Sequence, residues 1–280
     1  MPNHVTNRIA FYGNQSDIDK ILEYIKGEDT CIDFSKIIPM PKSLMLPSSS
    51  DTDIAIQYAL SKKGYSESIR IKKIMSETPC SFYKNYYNKV YFHRPFGESA
   101  DVMQERARQF EQRLRNKEKD MFDSTDYEGL GIGNFEDLGN AYINNIINYG
   151  CTDWYDWSYE HWGTKWNAYS VELDEEAHTI LFDTAWSCPL PVLTELSKLC
   201  YKYNVAFIGE WADEDAGCNV GFFESDGDGD EHWFNHESVE NNSNEAFDIY
   251  TELKGNYGCL GKDTNGNWIR YSCDDCPNPC

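Results

Sequence analysis

Two short runs of alternating residues, KWNAYSVEL (165–173) and TILFDTAW (179–186), flank the connection DEEAH. Period-two patterns this close together bury one side most simply by folding back as an antiparallel hairpin. A hairpin alone is marginal in water and needs further strands or a helix to cover its apolar side. The chain supplies them in a defined order. Residues 3–12 set Val5, Asn7, Ile9 and Phe11 against Thr6, Arg8 and Ala10, which reads as a strand. In GNQSDIDKILEYIKGED, Ile18, Ile21, Leu22 and Ile25 keep helical spacing. Ser16 is the expected N-cap there, Asp17 and Asp19 suit the first turn, and Gly27 is the stop. After the hairpin, PLPVLTELSKLCYKY reads as a helix with Pro191 in its first turn, and NVAFIGEWA and NVGFFES read as strands. The order β-α-β-β-α-β is that of the split βαβ, or ferredoxin-like, arrangement, an α+β fold. The term describes topology and implies no iron–sulfur chemistry.

Between the first helix and the hairpin lies a long interruption. Pro39, Pro41 and Pro47 mark an irregular connector. DIAIQYALSKKG, DVMQERARQFEQRLRNKEKDMF and NFEDLGNAYINNIINYG then read as helices, with Glu111–Arg115 as an i,i+4 pair and Gly150 as a C-cap. Four segments result: 1–45, the first strand and helix of the core; 46–149, a helical insertion; 150–223, the remainder of the core; and 224–280, an acidic, cysteine-containing extension. The extension contains a helix pattern at SNEAFDIYTEL and a turn into a short strand at DTNGNWIRY.

Charge divides the chain more sharply than hydropathy does. The formal net charge is −22. Residues 1–149 carry 19 Lys+Arg against 21 Asp+Glu, and residues 150–280 carry 6 against 26. A surface this acidic disfavours nucleic acid and anionic membranes, whose binding requires basic groups. It is either a solubilising surface or a face that docks on a basic partner. Mean hydropathy is −0.65, and no run approaches the length that crosses a bilayer. MPNHVTNRIAFYG lacks the layout of a secretion signal, so the expected location is the cytoplasm of the host cell, with most of the ten cysteines reduced.

Five phrases occur in order: MPNHVTNRI, IDFSKIIPMP, DWYDWSYEHWGTKWNAY, FDTAWSCPLPVLTELSK and ADEDAGCNVG. Together they resemble the Api92-like proteins, a phage- and plasmid-associated group also described as the DUF1281 or YubB-type family. The resemblance covers residues 1–45 and 150–223. It implies a ferredoxin-like core and a mobile-element origin, and it supplies no activity.

Four constellations are candidate sites. CTDWYDWSYEHWGTKWNAYS packs four tryptophans into twenty positions. Trp154, Trp157 and His161 share helical spacing, Gly163 would end that helix, and Trp166 would open the following strand. These rings are expected to clamp insertion to core. The alternative is a stacking platform of Trp154, Trp157, His161, Trp162, Lys165, Trp166 and Trp186 that binds a nucleotide signal. Asp183, Asp213, Glu214 and Asp215 fall at strand ends, as solvated turn residues or as carboxylates of a metal-dependent hydrolase. In DGDGDEHWFNHE, Asp226, Asp228, Asp230 and Glu237 fit a calcium loop except at the sixth position, where Glu231 replaces glycine, so the default is a flexible acidic loop. Cys259, Cys273, Cys276 and Cys280 offer zinc a half-site, with loose thiols or a local disulfide as alternatives.

His4, His93, His161, His178, His232 and His236 are scattered, and no P-loop, dinucleotide fingerprint, H-E-x-x-H or Ser-His-Asp order is present. The expectation is therefore a non-enzymatic accessory protein without a cofactor. It would bind a host protein with a basic surface, and so counteract a defence or regulatory system.

Overall fold

The structure is a computed structural model that describes residues 3–49, 51–63, 65–77, 105, 108–109, 112, 114–118, 130–227, 231–255 and 259–272. It divides into two compact units, residues 1–39 with 158–280 and residues 40–157.

In the first unit, β1 (His4–Tyr12) leads into α1 (Gln15–Ile25) and the short α2 (Phe34–Ile37). Asn14 rather than Ser16 caps α1, its side chain accepting from the Ser16 N–H, because the helix begins two residues earlier than the acidic first turn suggests. The hairpin β2 (Tyr169–Asp174) and β3 (Thr179–Ala185) follows, then helix Leu190–Tyr201, β4 (Ala206–Ala212), β5 (Val220–Ser225) and β6 (Phe234–Ser238). The sheet order is β2-β3-β1-β4-β5-β6, antiparallel throughout, so the first four strands have the ferredoxin-like order with β1 at the centre. Strand β6 lies in the stretch read from sequence as a flexible acidic loop. It forms because Phe234 packs against Phe207 and Phe223 while the other β6 side chains face solvent.

Alternate residues of β1 serve different faces. Val5, Asn7, Ile9 and Phe11 are buried on the side where Phe34 of α2 meets Phe182 of β3, and His4, Thr6, Arg8, Ala10 and Tyr12 occupy the other side. A helix from Asn244 to Lys254, capped by Ser243, covers one end of that second side through Ala246, Phe247, Ile249 and Tyr250 against Ala212 and Val220. The remainder is a trough of about 510 Å³ lined by Arg8, Ala10, Tyr12, Ile208, Glu210 and Phe222, among others. A hairpin of Leu260–Lys262 and Trp268–Arg270 completes the unit. Cys188 and Cys200 are buried, and loss of solvent pushes both thiols up, Cys200 to about 12, so they behave as apolar groups at neutral pH.

The second unit has its own core, in which α3 (Thr52–Lys62) and α4 (Tyr65–Glu77) meet α5 (Phe135–Tyr149). Gly150 ends α5 in the left-handed conformation, φ 78°. Tyr142 donates to the Pro47 carbonyl at 2.6 Å, and buried Asn145 donates to the carbonyls of Ser43 and Thr152. Helix α6 (Trp154–His161) carries the division between the units, which falls after Trp157.

Two predictions follow from this core. A Cβ on Gly139 would stand 2.0 Å from the Ala55 carbonyl oxygen, so α3 and α5 touch backbone to backbone there. Gly139→Ala is expected to lower stability by about 1–3 kcal/mol, despite the better helix propensity of alanine; an unchanged urea midpoint would contradict the close approach. Asp153 is buried, caps the Tyr155 N–H at 3.0 Å and accepts from Thr152, yet desolvation pushes its carboxyl up to about 6. Ionising it inside the fold is therefore unfavourable: the penalty is absent below about pH 4 and complete above about pH 6. Asp153→Asn is expected to gain about 2–3 kcal/mol on the wild type as pH rises through that window, measured by parallel unfolding titrations; a constant difference from pH 4 to 7 would refute the assignment.

Candidate functional site

Strand order determines what gathers at one end of the second sheet face. Thr6 of β1 lies opposite Asp183 of β3 on one side and Ala212 of β4 on the other. Asp183 and Asp213 therefore flank β1 rather than each other. Between β2 and β3 the register shifts, so Tyr169 faces Asp183 while Glu172 faces Leu181. Ser170, with φ 51°, sits in this bulge, and the extra residue turns Tyr169 onto the His4–Thr6 face.

Each acid at this end is fixed mainly by neutral donors. The Thr6 hydroxyl donates to Asp183 at 2.7 Å. Asp213 accepts from the Asn3 amide at 3.1 Å, the Asn219 amide at 2.9 Å and the Asp215 N–H at 3.2 Å. Glu214 accepts the His4 backbone N–H at 3.2 Å. Lys254, from the last turn of the covering helix, donates to the His4 carbonyl at 3.1 Å. Its ammonium is pushed down by half-burial, opposed by the charges of Asp183, Asp213 and Glu214. The Tyr169 hydroxyl and His4 Nδ1 are 2.6 Å apart. Desolvation, with Asp183 and Glu214 nearby, pushes the Tyr169 phenol up to about 12, so it stays protonated.

Next to the acids stand two half-exposed indoles. Lys165 Nζ lies 4.7 Å from the Trp166 ring centre and 5.0 Å from that of Trp186. Trp166 meets Tyr169 edge-on at 6.3 Å, and Tyr169 meets His4 at 5.6 Å. Trp186 has φ 73°, a left-handed conformation costing about 1–2 kcal/mol for a side-chain-bearing residue. Its N–H donates to the Asn3 carbonyl at 2.9 Å, and its carbonyl accepts from Asn219 at 3.2 Å. The same two asparagines hold Asp213, so the indole and the acid share one scaffold.

The sequence candidates separate accordingly. Lys165, Trp166, Trp186, Asp183, Asp213 and Glu214 come together, with Asp215 in the adjoining turn. Trp166 does not open a strand; it lies in the loop before β2, which begins at Tyr169 because the turn at Gly163 and the hydrogen bonds of Asn167 to Asp33 and Phe34 occupy the intervening residues. Trp162 belongs to the core, donating to the Ile38 carbonyl at 3.0 Å and meeting Phe34 edge-on. Trp154 lies in the second unit against Tyr155, Trp157 is buried, and His161 ends α6. Of the calcium pattern, Asp228 and Asp230 lie outside the described residues, Asp226 accepts from the Trp233 indole, and Glu237, on β6, pairs with Phe222 of β5. Cys273, Cys276 and Cys280 also lie outside the described residues. Among the described residues, no three His, Cys, Asp or Glu side chains converge in a metal-holding group. Ser197 lies 2.8 Å from His232, but its hydroxyl donates to the Thr194 carbonyl and is fully buried, so the contact is a fastener and not a nucleophile with its base.

Sequence reasoning missed His4, Tyr169, Lys254 and the two asparagines. The one signal pointing to His4 and Asn3 was their position in the opening phrase MPNHVTNRI.

Residues 165–255 match a family model described as the ferredoxin-like domain in Api92-like protein. The solved structure of the protein Api92 from Yersinia pseudotuberculosis, a DUF1281 protein, is 14% identical, covering 86% of this chain and 99% of that chain with a TM-score of 0.36. No curated protein matches the chain. No helix among the described residues is long and apolar enough to cross a membrane.

The shared scaffold is testable at Asn219, which has φ 48°. Asn219→Gly keeps that backbone accessible and removes both side-chain bonds, and is expected to cost about 1–3 kcal/mol. Denaturant unfolding followed by tryptophan emission measures it; no loss would mean that Asn219 supports neither Asp213 nor Trp186.

Proposed function

We propose that the protein is a non-enzymatic accessory protein of mobile-element type that docks a basic segment of a host protein on the acidic end of its sheet, and so counteracts a defence or regulatory system. The observation that carries this reading is how the acids are satisfied. Asp183, Asp213 and Glu214 are held by hydroxyl, amide and backbone donors, so their positions are fixed while much of their charge remains. Lys254 feels the charge of all three. Residues 165–255 carry 4 Lys+Arg against 20 Asp+Glu, which extends the negative field around the site. Fixed charge of one sign gives a partner of opposite sign both steering and register.

A nucleotide reading has its own observation in its favour, the half-exposed indoles beside Lys165. The surrounding carboxylates weigh against it, because they repel a phosphate.

The docking reading is tested with an arginine-rich peptide on the immobilised protein. Affinity is expected to fall steeply with added salt. The triple variant D183N/D213N/E214Q is expected to bind about tenfold more weakly, whereas E172Q/E175Q/E176Q, on the hairpin, changes little. Equal losses from the two triple variants would reduce the binding to general acidity and overturn the assignment to this site.

A further inference from the structure

We propose that Trp166 and Trp186 form a two-walled site for an organic cation, an ammonium or guanidinium group, and that Lys165 is its resident, displaceable occupant. The proposal deepens the docking reading and rests on it for what bears the cation, a basic side chain of the partner.

A positive charge within about 6 Å of an indole centre is attracted by the negative face of the ring. Lys165 meets that condition twice, at 4.7 and 5.0 Å. Both rings remain 37% exposed, so a ligand arriving from solvent reaches them. Trp186 is held in a left-handed conformation from both sides, by Asn3 and Asn219, and these residues also fix Asp213. Presentation of the ring and placement of the negative charge are thus one construction, as a cation site requires.

The alternative role for Lys165 is to hold an anion. Its surroundings oppose that: Asp213 shares the scaffold of Trp186, and Glu214 follows it. These carboxylates repel a phosphate, whereas a second cation is attracted by them. Lys165 is half-buried and lies on the loop between α6 and β2, outside any helix or strand, with a flexible four-carbon stem. A guanidinium suits the vacated space because its flat face stacks on indoles.

The two roles predict opposite effects of removing the lysine. Lys165→Met and Lys165→Gln, checked for native circular dichroism, are titrated with tetramethylammonium and with arginine methyl ester, following the tryptophan indole N–H resonances. Sodium chloride at equal ionic strength is the control and adenosine monophosphate the anionic counter-probe. Both variants are expected to bind the organic cations about tenfold more tightly than the wild type, and Trp186→Ala in the Lys165→Met background is expected to lose the response. No cation response in either folded variant overturns the proposal. So does adenosine monophosphate binding to the wild type that Lys165→Met abolishes, since Lys165 would then be an anion ligand. Cation binding by Lys165→Met without arginine-rich peptide binding by any form upholds the cage and removes the docking reading. Peptide binding without any response to the small cations does the reverse.

Discussion

The central strand has no partner nearby in sequence. Thr6 bonds to Asp183 across 177 positions, and Arg8 pairs with Glu210 across 202. The sheet cannot form until those distant segments arrive on either side of β1, so everything between them must permit closure. Closure entropy grows only logarithmically with length, about 0.6 kcal/mol per doubling. A long intervening segment is therefore tolerated if it does not stay unfolded, and residues 40–157 meet that condition with a core of their own built on α3 and α5. The same pairing makes the site. With β1 between β3 and β4, Thr6 reaches Asp183 while Asn3 reaches Asp213, so the four residues 3–6 at the start of β1 organise a carboxylate on one neighbouring strand and another just past the end of the second.

Elements with a clear period and punctuation were legible in the sequence. The β2–β3 hairpin, the helix at Leu190–Tyr201 and the helix at Asn244–Lys254 each show an apolar side of the correct period with a turn or cap at the ends. Strand β6 was not legible, because a single half-buried ring, Phe234, anchors it within a run whose acids dominate any pattern count. The N-cap of α1 was misplaced by two residues because Asn14 and Ser16 are both good caps, and only the helix start decides between them. The aromatic run was legible as aromatic and nothing finer. Trp162 goes to the core and Trp166 to the surface though only three residues lie between them, since Gly163, at φ 75°, reverses the chain.

The site itself was half visible. The acids, Lys165, Trp166 and Trp186 stand out by residue type. His4, Tyr169 and Lys254 join them through strand order, a bulge and the docking of the Asn244–Lys254 helix on the sheet, none of which is a local pattern. A one-residue change of register would put Ser170 opposite Asp183 in place of Tyr169, and no propensity in NAYSVEL announces the shift.

Two treatments of negative charge coexist on this sheet face, and the contrast between them separates support from recognition. Arg8 bridges Glu210 and Glu252 at 2.5 and 3.0 Å, tying strand to covering helix and cancelling charge where the trough begins. At the sheet end the acids meet mainly neutral donors, which satisfy oxygen lone pairs without removing the field. Lys254 measures what that field provides. Three carboxylates raise its proton affinity, yet half-burial outweighs them and leaves it lowered. A cation that must give up its water is thus poorly served here, and one that keeps part of its hydration while resting on an aromatic face meets the attraction at a smaller desolvation cost. The exposed indole walls around Lys165 offer such a seat within the same hydrogen-bonded frame, which places recognition at the rim of the cluster and leaves its interior to hold the sheet end together.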